Sequence, residues 1–214
     1  MHALNQKEIA LRYAASVGRS YESLRLVVAH LGGGISVVAH RDGRMVDAVE
    51  ALGGEGPMAP TRSGSAPLLG VVEMCFSGRY SQDEVVALIT RRGGLEALLG
   101  TSDLQVARDR AASGDALAAL ALDAMTYQIG KSIGSMAAVL RGAHAIVLTG
   151  GMAHDDQLTK ALGTMCEFLA PVVVLAGEFE LEALASGAIR VLAGAEAART
   201  YTGVPIWEPS HLPA

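Results

Sequence analysis

The stretch Leu26–Ala48, LVVAHLGGGISVVAHRDGRMVDA, limits what this chain can fold into more than any other. It reads as an apolar strand, a glycine turn, a second strand, an Asp-Gly turn and a third strand. Asp42-Gly43, set between alternating apolar residues, is a strong hairpin signal, because both central positions of the favoured two-residue turn take positive φ. The other turn, Gly32-Gly33-Gly34 followed by Ser36, holds more glycine than a hairpin requires. Three residues without Cβ atoms let the backbone come close to a ligand and aim several N–H groups at it, a nest of donors that suits phosphate oxygens. His30, just before the glycines, adds a side-chain donor. The competing reading is a plain β-turn whose glycines serve only φ; a short glycine motif alone leaves both open.

Composition narrows the partners. A chain of 214 residues, half of them hydrophobic, can bury the core of one large domain or two small ones. Its net charge of −5 and aromatic content of 4% argue against nucleic acid and anionic membrane surfaces as partners. Cys75 and Cys166 lie in apolar helical contexts without metal-ligand spacing, so buried free thiols in a reducing cytoplasm are expected. The opening MHALNQKEIA lacks a signal pattern, and Lys131 and Arg141 interrupt the longest apolar runs.

The first helix is expected over His2–Val17, with Leu4, Ile9, Ala10, Tyr13, Ala14 and Val17 on one face. After the meander comes a glycine- and proline-rich loop, Glu50–Pro67, carrying Arg62 between Thr61 and Ser63-Gly64. Long loops in compact domains tend to be functional. Arginine's rigid fork fits phosphate or carboxylate; a solvated loop arginine is the alternative. Helices follow over Leu68–Phe76, Ser81–Arg91 (with a Ser81/Glu84 capping box), Leu95–Leu99 and Ser102–Ala112. A long helix capped by Asp115 runs to about Leu140, and its Gly130, Gly134 and Ser135 predict a small face for close packing against a sheet. Ala143–Leu148 reads as a buried strand, followed by Thr149-Gly150-Gly151 and a helix start near Asp155. Strand, diglycine and helix form a nucleotide-contact arrangement at the carboxyl end of a strand, or else only a tight turn. Val172–Leu175 is a further strand. The acidic Glu178, Glu180 and Glu182 begin a helix through Leu192, where they suit the helix dipole or, through water, Mg²⁺. The tail Gly203–Ala214, with Trp207, is expected to run along the surface or be disordered. The whole predicts an α/β fold, a mixed sheet with flanking helices.

Seven segments together carry a resemblance: HALNQK (2–7), VVAHLGGGIS (27–36), GGEGP (53–57), TRSG (61–64), CFSG (75–78), AIVLTGGMA (145–153) and GEFELEALASGAIRVL (177–192). The chain resembles the acetate and propionate/butyrate kinase family, within the actin-like (ribonuclease H-like) ATPases and sugar kinases. Gly33, where acetate kinases carry asparagine, favours the butyrate kinase branch. The resemblance implies reversible transfer of a phosphoryl group from ATP to a short-chain carboxylate, butyrate plus ATP giving butyryl phosphate plus ADP, with Mg²⁺. It implies that Gly32, Gly33, Gly34, Ser36 and His30 hold the β- and γ-phosphates. Gly150, Gly151 and Met152 lie against the adenosine, Arg62 steadies the moving phosphoryl group, and His2 hydrogen-bonds it. Glu180 is the best match for the acidic residue near Mg²⁺, acting through water, with Glu178 and Glu182 as alternatives.

The resemblance covers only the C-terminal part of the family, here residues 1–202, with 203–214 a tail. The family's first phosphate loop, a substrate-side arginine and a catalytic aspartate belong to an N-terminal domain that has no counterpart here. Two readings follow. One is a butyrate kinase-type enzyme, working alone or with a separate N-terminal half. The other is a truncated, non-catalytic module for nucleotide binding or oligomerisation. Family members pair through this half, so a homodimer or higher oligomer is expected, and an apolar face is expected near the start of the first helix.

Overall fold

A computed structural model of the chain describes residues 2–49, 53–198, 200, 201 and 203. Five strands, β1 (Leu26–Leu31), β2 (Ile35–Arg41), β3 (Arg44–Ala48), β4 (Ala145–Gly150) and β5 (Val172–Ala176), form one mixed sheet in the order β3-β2-β1-β4-β5. The meander pairs antiparallel, and β4 and β5 add parallel to β1. The described residues form eight α-helices, α1 (Ala3–Ser16), α2 (Leu68–Phe76), α3 (Gln82–Thr90), α4 (Gly94–Leu99), α5 (Leu104–Ala112), α6 (Ala116–Leu140), α7 (Asp156–Cys166) and α8 (Glu180–Leu192), of which α1, α6 and α7 pack on the sheet. This is the expected α/β architecture.

Alternation along the strands sorts two cores. Val27, Ala29 and Leu31 of β1, Ile35, Val37 and Ala39 of β2, and Ile146 and Leu148 of β4 share one cluster with Ile129, Ile133, Met136 and Leu140 of α6. Leu26 and Val28, with Ala145 and Val147, form the other with Ile9, Ala10 and Ala14 of α1. Both faces are covered, so β1, β2 and β4 are buried along nearly their whole length.

The two hairpin turns differ as their sequences suggest. Asp42 and Gly43 take φ of 53° and 69°, the left-handed pair that a two-residue hairpin needs. None of Gly32, Gly33 and Gly34 has positive φ. Their lack of side chains therefore serves something other than turn geometry.

Helix starts follow local chemistry. Ser81 and Glu84 form the capping box of α3, and Asp115 accepts the N–H groups of Leu117 and Ala118 to cap α6. The cap of α5 is Asp103 and not Ser102; its carboxylate accepts from Gln105 and Val106. A short 3-10 turn, Gly151–His154, precedes α7, which Asp155 caps. Helix α8 is held to α1 by charge: the buried Glu8 pairs with Arg12 and Arg190, Glu196 pairs with Arg190 and Lys7, and Arg12 lies 4.3 Å from the centre of the Phe179 ring. Leu4 on α1 and Leu181, Leu184, Ile189 and Leu192 on α8 are exposed.

Two expectations are corrected. The small residues of α6 do not face the sheet. A Cβ on Gly130 would run into the Met165 side chain of α7, Gly134 faces open space, and Ser135 is exposed. The sheet is met instead by the large residues one helical face away, Ile129, Ile133 and Met136. Cys166 is buried as expected, but Cys75 is exposed, because α2 buries none of its residues despite an apolar sequence. The tail from residue 204 onward, including Trp207, and loop residues 50–52 lie outside the described residues. No helix among the described residues is long and apolar enough to cross a membrane.

Gly134→Ala is predicted to stabilise the fold by roughly 0.5–1 kcal/mol, since a helix-interior glycine in open space costs backbone entropy and offers no packing in return. Gly130→Ala, which must displace Met165, is predicted to destabilise it. Urea denaturation of the two variants beside the parent checks both signs.

Candidate functional site

The same alternation that fills the cores sets a row of polar side chains on the α1 face. His30 is the register partner of Ser36 on β2 and of Thr149 on β4. The three stand side by side at the carboxyl ends of the parallel strands, where ligands of open α/β sheets collect. All are buried; Thr149 donates to the carbonyl of Gly177.

Helix α1 brings its first turn over this row. The His2 ring stacks on His30, with centroids 3.9 Å apart and planes 23° from parallel. His2 Nδ1 lies 3.0 Å from Ser36 Oγ, and Gln6 Nε2 donates to both Ser36 Oγ and the Ser36 carbonyl. Burial holds the pKa of His30 down to about 4, helped by neighbouring His2. Burial also lowers His2; Arg62 adds to this and Glu180 and Glu178 oppose it. Both rings are thus neutral at neutral pH, and the two carboxylates and the guanidinium are near enough to be felt at His2.

Arg62 arrives from the long loop, which is tied down by backbone bonds on both sides. Thr61 donates its N–H and its hydroxyl to the Gly33 carbonyl, Ser63 N–H to Ile89, and Gly93 N–H returns to Thr61. The guanidinium lies directly on the hairpin: a Cβ on Gly34 would overlap its Nη1 and Cζ. Gly34 is therefore a seat for Arg62. Gly33 is the exposed tip, with open space where a Cβ would stand, and Gly32 lies against the His30 ring. No hydrogen bond leaves the N–H groups of Gly32, Gly33 or Gly34 for another described backbone group.

Among the described residues four buried side-chain atoms have no partner: His30 Nδ1, Arg62 Nε, and both amide atoms of Asn5. Buried polar atoms are nearly always paired, and leaving one unmade costs about 1–3 kcal/mol. Asn5, Gln6 and Thr149 were not singled out from the sequence. Thr149 shares the parity of Ala145 and Val147 on β4, a signal that strand alternation carries; for Asn5 and Gln6 the apolar spacing of α1 carries none.

At the end of β4 the two glycines do different work. Gly150 has φ of 92°, and a Cβ there would strike the backbone of Leu31, so the chain's own packing requires it. Gly151 is exposed and, with Met152, lines a cavity of about 290 Å³ whose other walls include Asp103, Leu104 and Gln105. Glu178 reaches toward Gly151, with Oε1 3.6 Å from where a Cβ would stand. Glu180 opens α8, and Glu182 follows it in the same turn. Among the described residues no three His, Cys, Asp or Glu side chains form a metal cage; Mg²⁺, which keeps its waters, needs only one or two carboxylates.

Comparison with known proteins gives a consistent picture. A model described as the Acetokinase family matches residues 1–172. The chain is 46% identical over 201 residues to butyrate kinase 1 of Clostridium acetobutylicum, covering 94% of this chain and 57% of that protein. It is 47% identical to a probable butyrate kinase of Clostridium botulinum over the same shares of each. Among solved structures, acetate kinase of Porphyromonas gingivalis superposes with a TM-score of 0.83 at 23% identity, covering 90% of this chain and 55% of the other. A ROK hexokinase of Thermus thermophilus gives 0.52 at 19% identity, over 89% and 64%. The fold is that of the actin-like ATPases. The chain spans little more than half the length of the curated relatives it matches.

The buried histidines make stability depend on pH. His30 and His40 have pKa values lowered to about 4 from an ordinary 6.5, chiefly by burial. The unfolded chain therefore takes up protons first. Stability is full above pH 6.5 and falls as pH drops toward about 4, by roughly 3 kcal/mol per histidine over the whole interval. Urea midpoints measured across this range are predicted to fall, and less steeply in His40→Gln; equal slopes would contradict a buried neutral His40.

Proposed function

Because the chain belongs to the Acetokinase family, we propose that it carries the nucleotide-binding and phosphoryl-stabilising wall of a carboxylate kinase, acting on ATP and a short-chain acid such as butyrate. The observation that carries this reading is the orphaned donor Arg62 Nε and the unpartnered ring nitrogen His30 Nδ1, beside three hairpin glycines whose N–H groups have no described backbone partner. Such a concentration of unspent donors fits an anion with several oxygens.

The chemistry asks for little else. A carboxylate is already a nucleophile. Its oxygen attacks the γ-phosphorus, the bond to the β,γ-bridging oxygen breaks, and ADP leaves with that electron pair. No proton has to move, so the work is alignment and neutralisation of charge. The hairpin N–H groups of Gly32–Gly34 and His30 bind the terminal phosphates, with Ser36 beside them. Arg62 faces the transferring group with a cation held rigid by Gly34, and neutral His2 donates a hydrogen bond to it. Gly151 and Met152 receive the adenosine, while Gly150 shapes the turn. Glu180 and Glu178 would hold Mg²⁺ through its waters; bound there, the metal would neutralise phosphate charge. A homodimer or higher oligomer, and a separate N-terminal half completing the acid side, belong to the same proposal. A narrower reading, resting on the nucleotide-side residues alone, is a nucleotide-binding module without catalysis.

Trapping acyl phosphate with hydroxylamine, in the presence of Mg-ATP and butyrate, separates these. The proposal predicts hydroxamate formation that falls by roughly 10³ or more in Arg62→Ala, the scale of a phosphoryl-stabilising arginine. Gly34→Ala is predicted to reproduce this loss, because its methyl evicts the guanidinium. Calorimetric ATP binding without hydroxamate rules out a self-sufficient kinase and leaves a kinase wall that needs its other half, or the module. Absence of both overturns the nucleotide site.

A further inference from the structure

Behind His2 a buried chain of hydrogen bonds runs away from the site: His2 Nδ1 to Ser36 Oγ at 3.0 Å, Gln6 Nε2 to Ser36 Oγ at 3.1 Å, Gln6 Oε1 to His40 Nε2 at 3.3 Å, and His40 Nδ1 to the Tyr21 hydroxyl at 2.7 Å. We infer that Gln6, backed by His40 and Tyr21, is a positioning residue that fixes the tautomer of His2, so that its Nε2 carries the proton and presents it to the phosphoryl site.

The direction of every bond follows from one acceptor that cannot change. The Ser36 carbonyl lies 3.3 Å from the Gln6 amide. A carbonyl only accepts, so the NH₂ end of Gln6 must face Ser36 and its Oε1 must face His40. Gln6 Oε1 only accepts, so His40 Nε2 carries a proton. His40 is fully buried and neutral at neutral pH, which leaves its Nδ1 to accept from the Tyr21 O–H. At the other end Ser36 Oγ already accepts from Gln6. Its own proton has one described acceptor, His2 Nδ1. If His2 donated through Nδ1 instead, the buried Ser36 hydroxyl proton would have no described acceptor, and a buried unpaired donor is costly. The chain therefore reads Tyr21 → His40 → Gln6 → Ser36 → His2, donor to acceptor throughout. His2 Nε2–H, on the side of the ring away from Ser36, has no hydrogen-bond partner among the described residues.

Strand parity builds this chain. Ser36 and His40 are both even-numbered residues of β2, on the α1 face with His30, and Gln6 sits one helical turn from His2. Tyr21, on the 3-10 turn Tyr21–Ser23, closes the far end, its hydroxyl raised to about 12 by burial and by Glu22, so it remains a donor. That His2 Nε2–H meets a phosphoryl group rests on the proposed function; the tautomer does not.

Long-range ¹H–¹⁵N NMR correlations of histidine-labelled full chain, without nucleotide, report which imidazole nitrogen is protonated, with His2→Gln identifying the resonances. The inference predicts a single His2 tautomer protonated on Nε2. In Gln6→Glu the new carboxylate accepts from Ser36 as well as from His40, so Ser36 Oγ must accept from His2 and the proton moves to Nδ1. In Ser36→Ala, the smaller change, His2 loses its partner and shows both tautomers. A parent His2 protonated on Nδ1, or a folded Gln6→Glu or Ser36→Ala chain with the parent tautomer, overturns the inference. Because the spectra need neither ATP nor activity, this outcome is independent of whether the kinase reading stands.

Discussion

Register between three strands organises this molecule. His30 pairs with Ser36 on one side and Thr149 on the other. Because side chains alternate, that register places three polar groups in one row while their neighbours Leu31, Ile35 and Leu148 go into the opposite core. A slip of one residue would bury the polar row under α6 and turn the aliphatic set toward α1. The apolar packing that stabilises the sheet therefore also fixes the site. Helix α1 completes it, since the helix that covers Val28 and Val147 with Ile9, Ala10 and Ala14 also carries His2 and Gln6 at its start.

A second constraint is the approach of the Glu50–Pro67 loop to the glycine hairpin. Thr61 holds the Gly33 carbonyl twice, and the Arg62 guanidinium rests where a Gly34 side chain would be. A flexible arginine on a long loop would lose much side-chain entropy each time it met an anion. One already seated on the backbone loses little, and preorganised charge is what phosphoryl transfer demands. Arg62 Nε, His30 Nδ1 and the Asn5 amide are buried without protein partners among the described residues.

Much of the fold could be read directly. The Asp42-Gly43 turn, the capping box at Ser81 and the Asp115 cap are local signals, and each stands where its chemistry put it. What could not be read depended on contacts between distant segments. Nothing near Gly34 announces Arg62, and nothing in the α1 pattern tells that Gln6 reaches Ser36. The glycines of α6 looked like a packing face because small residues often are one; here Gly130 makes room for Met165, and Gly134 for nothing. Helix α2 looked buried because it is apolar, yet Leu68, Leu69 and Phe76 face outward. At the site, Gly32–Gly34, His30 and Arg62 were legible as residue types suited to phosphate, whereas the orphaned atoms that make the case became visible only with the packing.

The measurement that bears most directly on this account is the amide ¹H–¹⁵N spectrum of the chain titrated with Mg-ATP. The account predicts that the largest shifts fall on the hairpin amides of Gly32, Gly33 and Gly34, with further changes at Gly151 and Met152. Shifts confined to other surfaces, with the hairpin amides unmoved at saturating nucleotide, would contradict the assignment of the glycine turn as the phosphate seat.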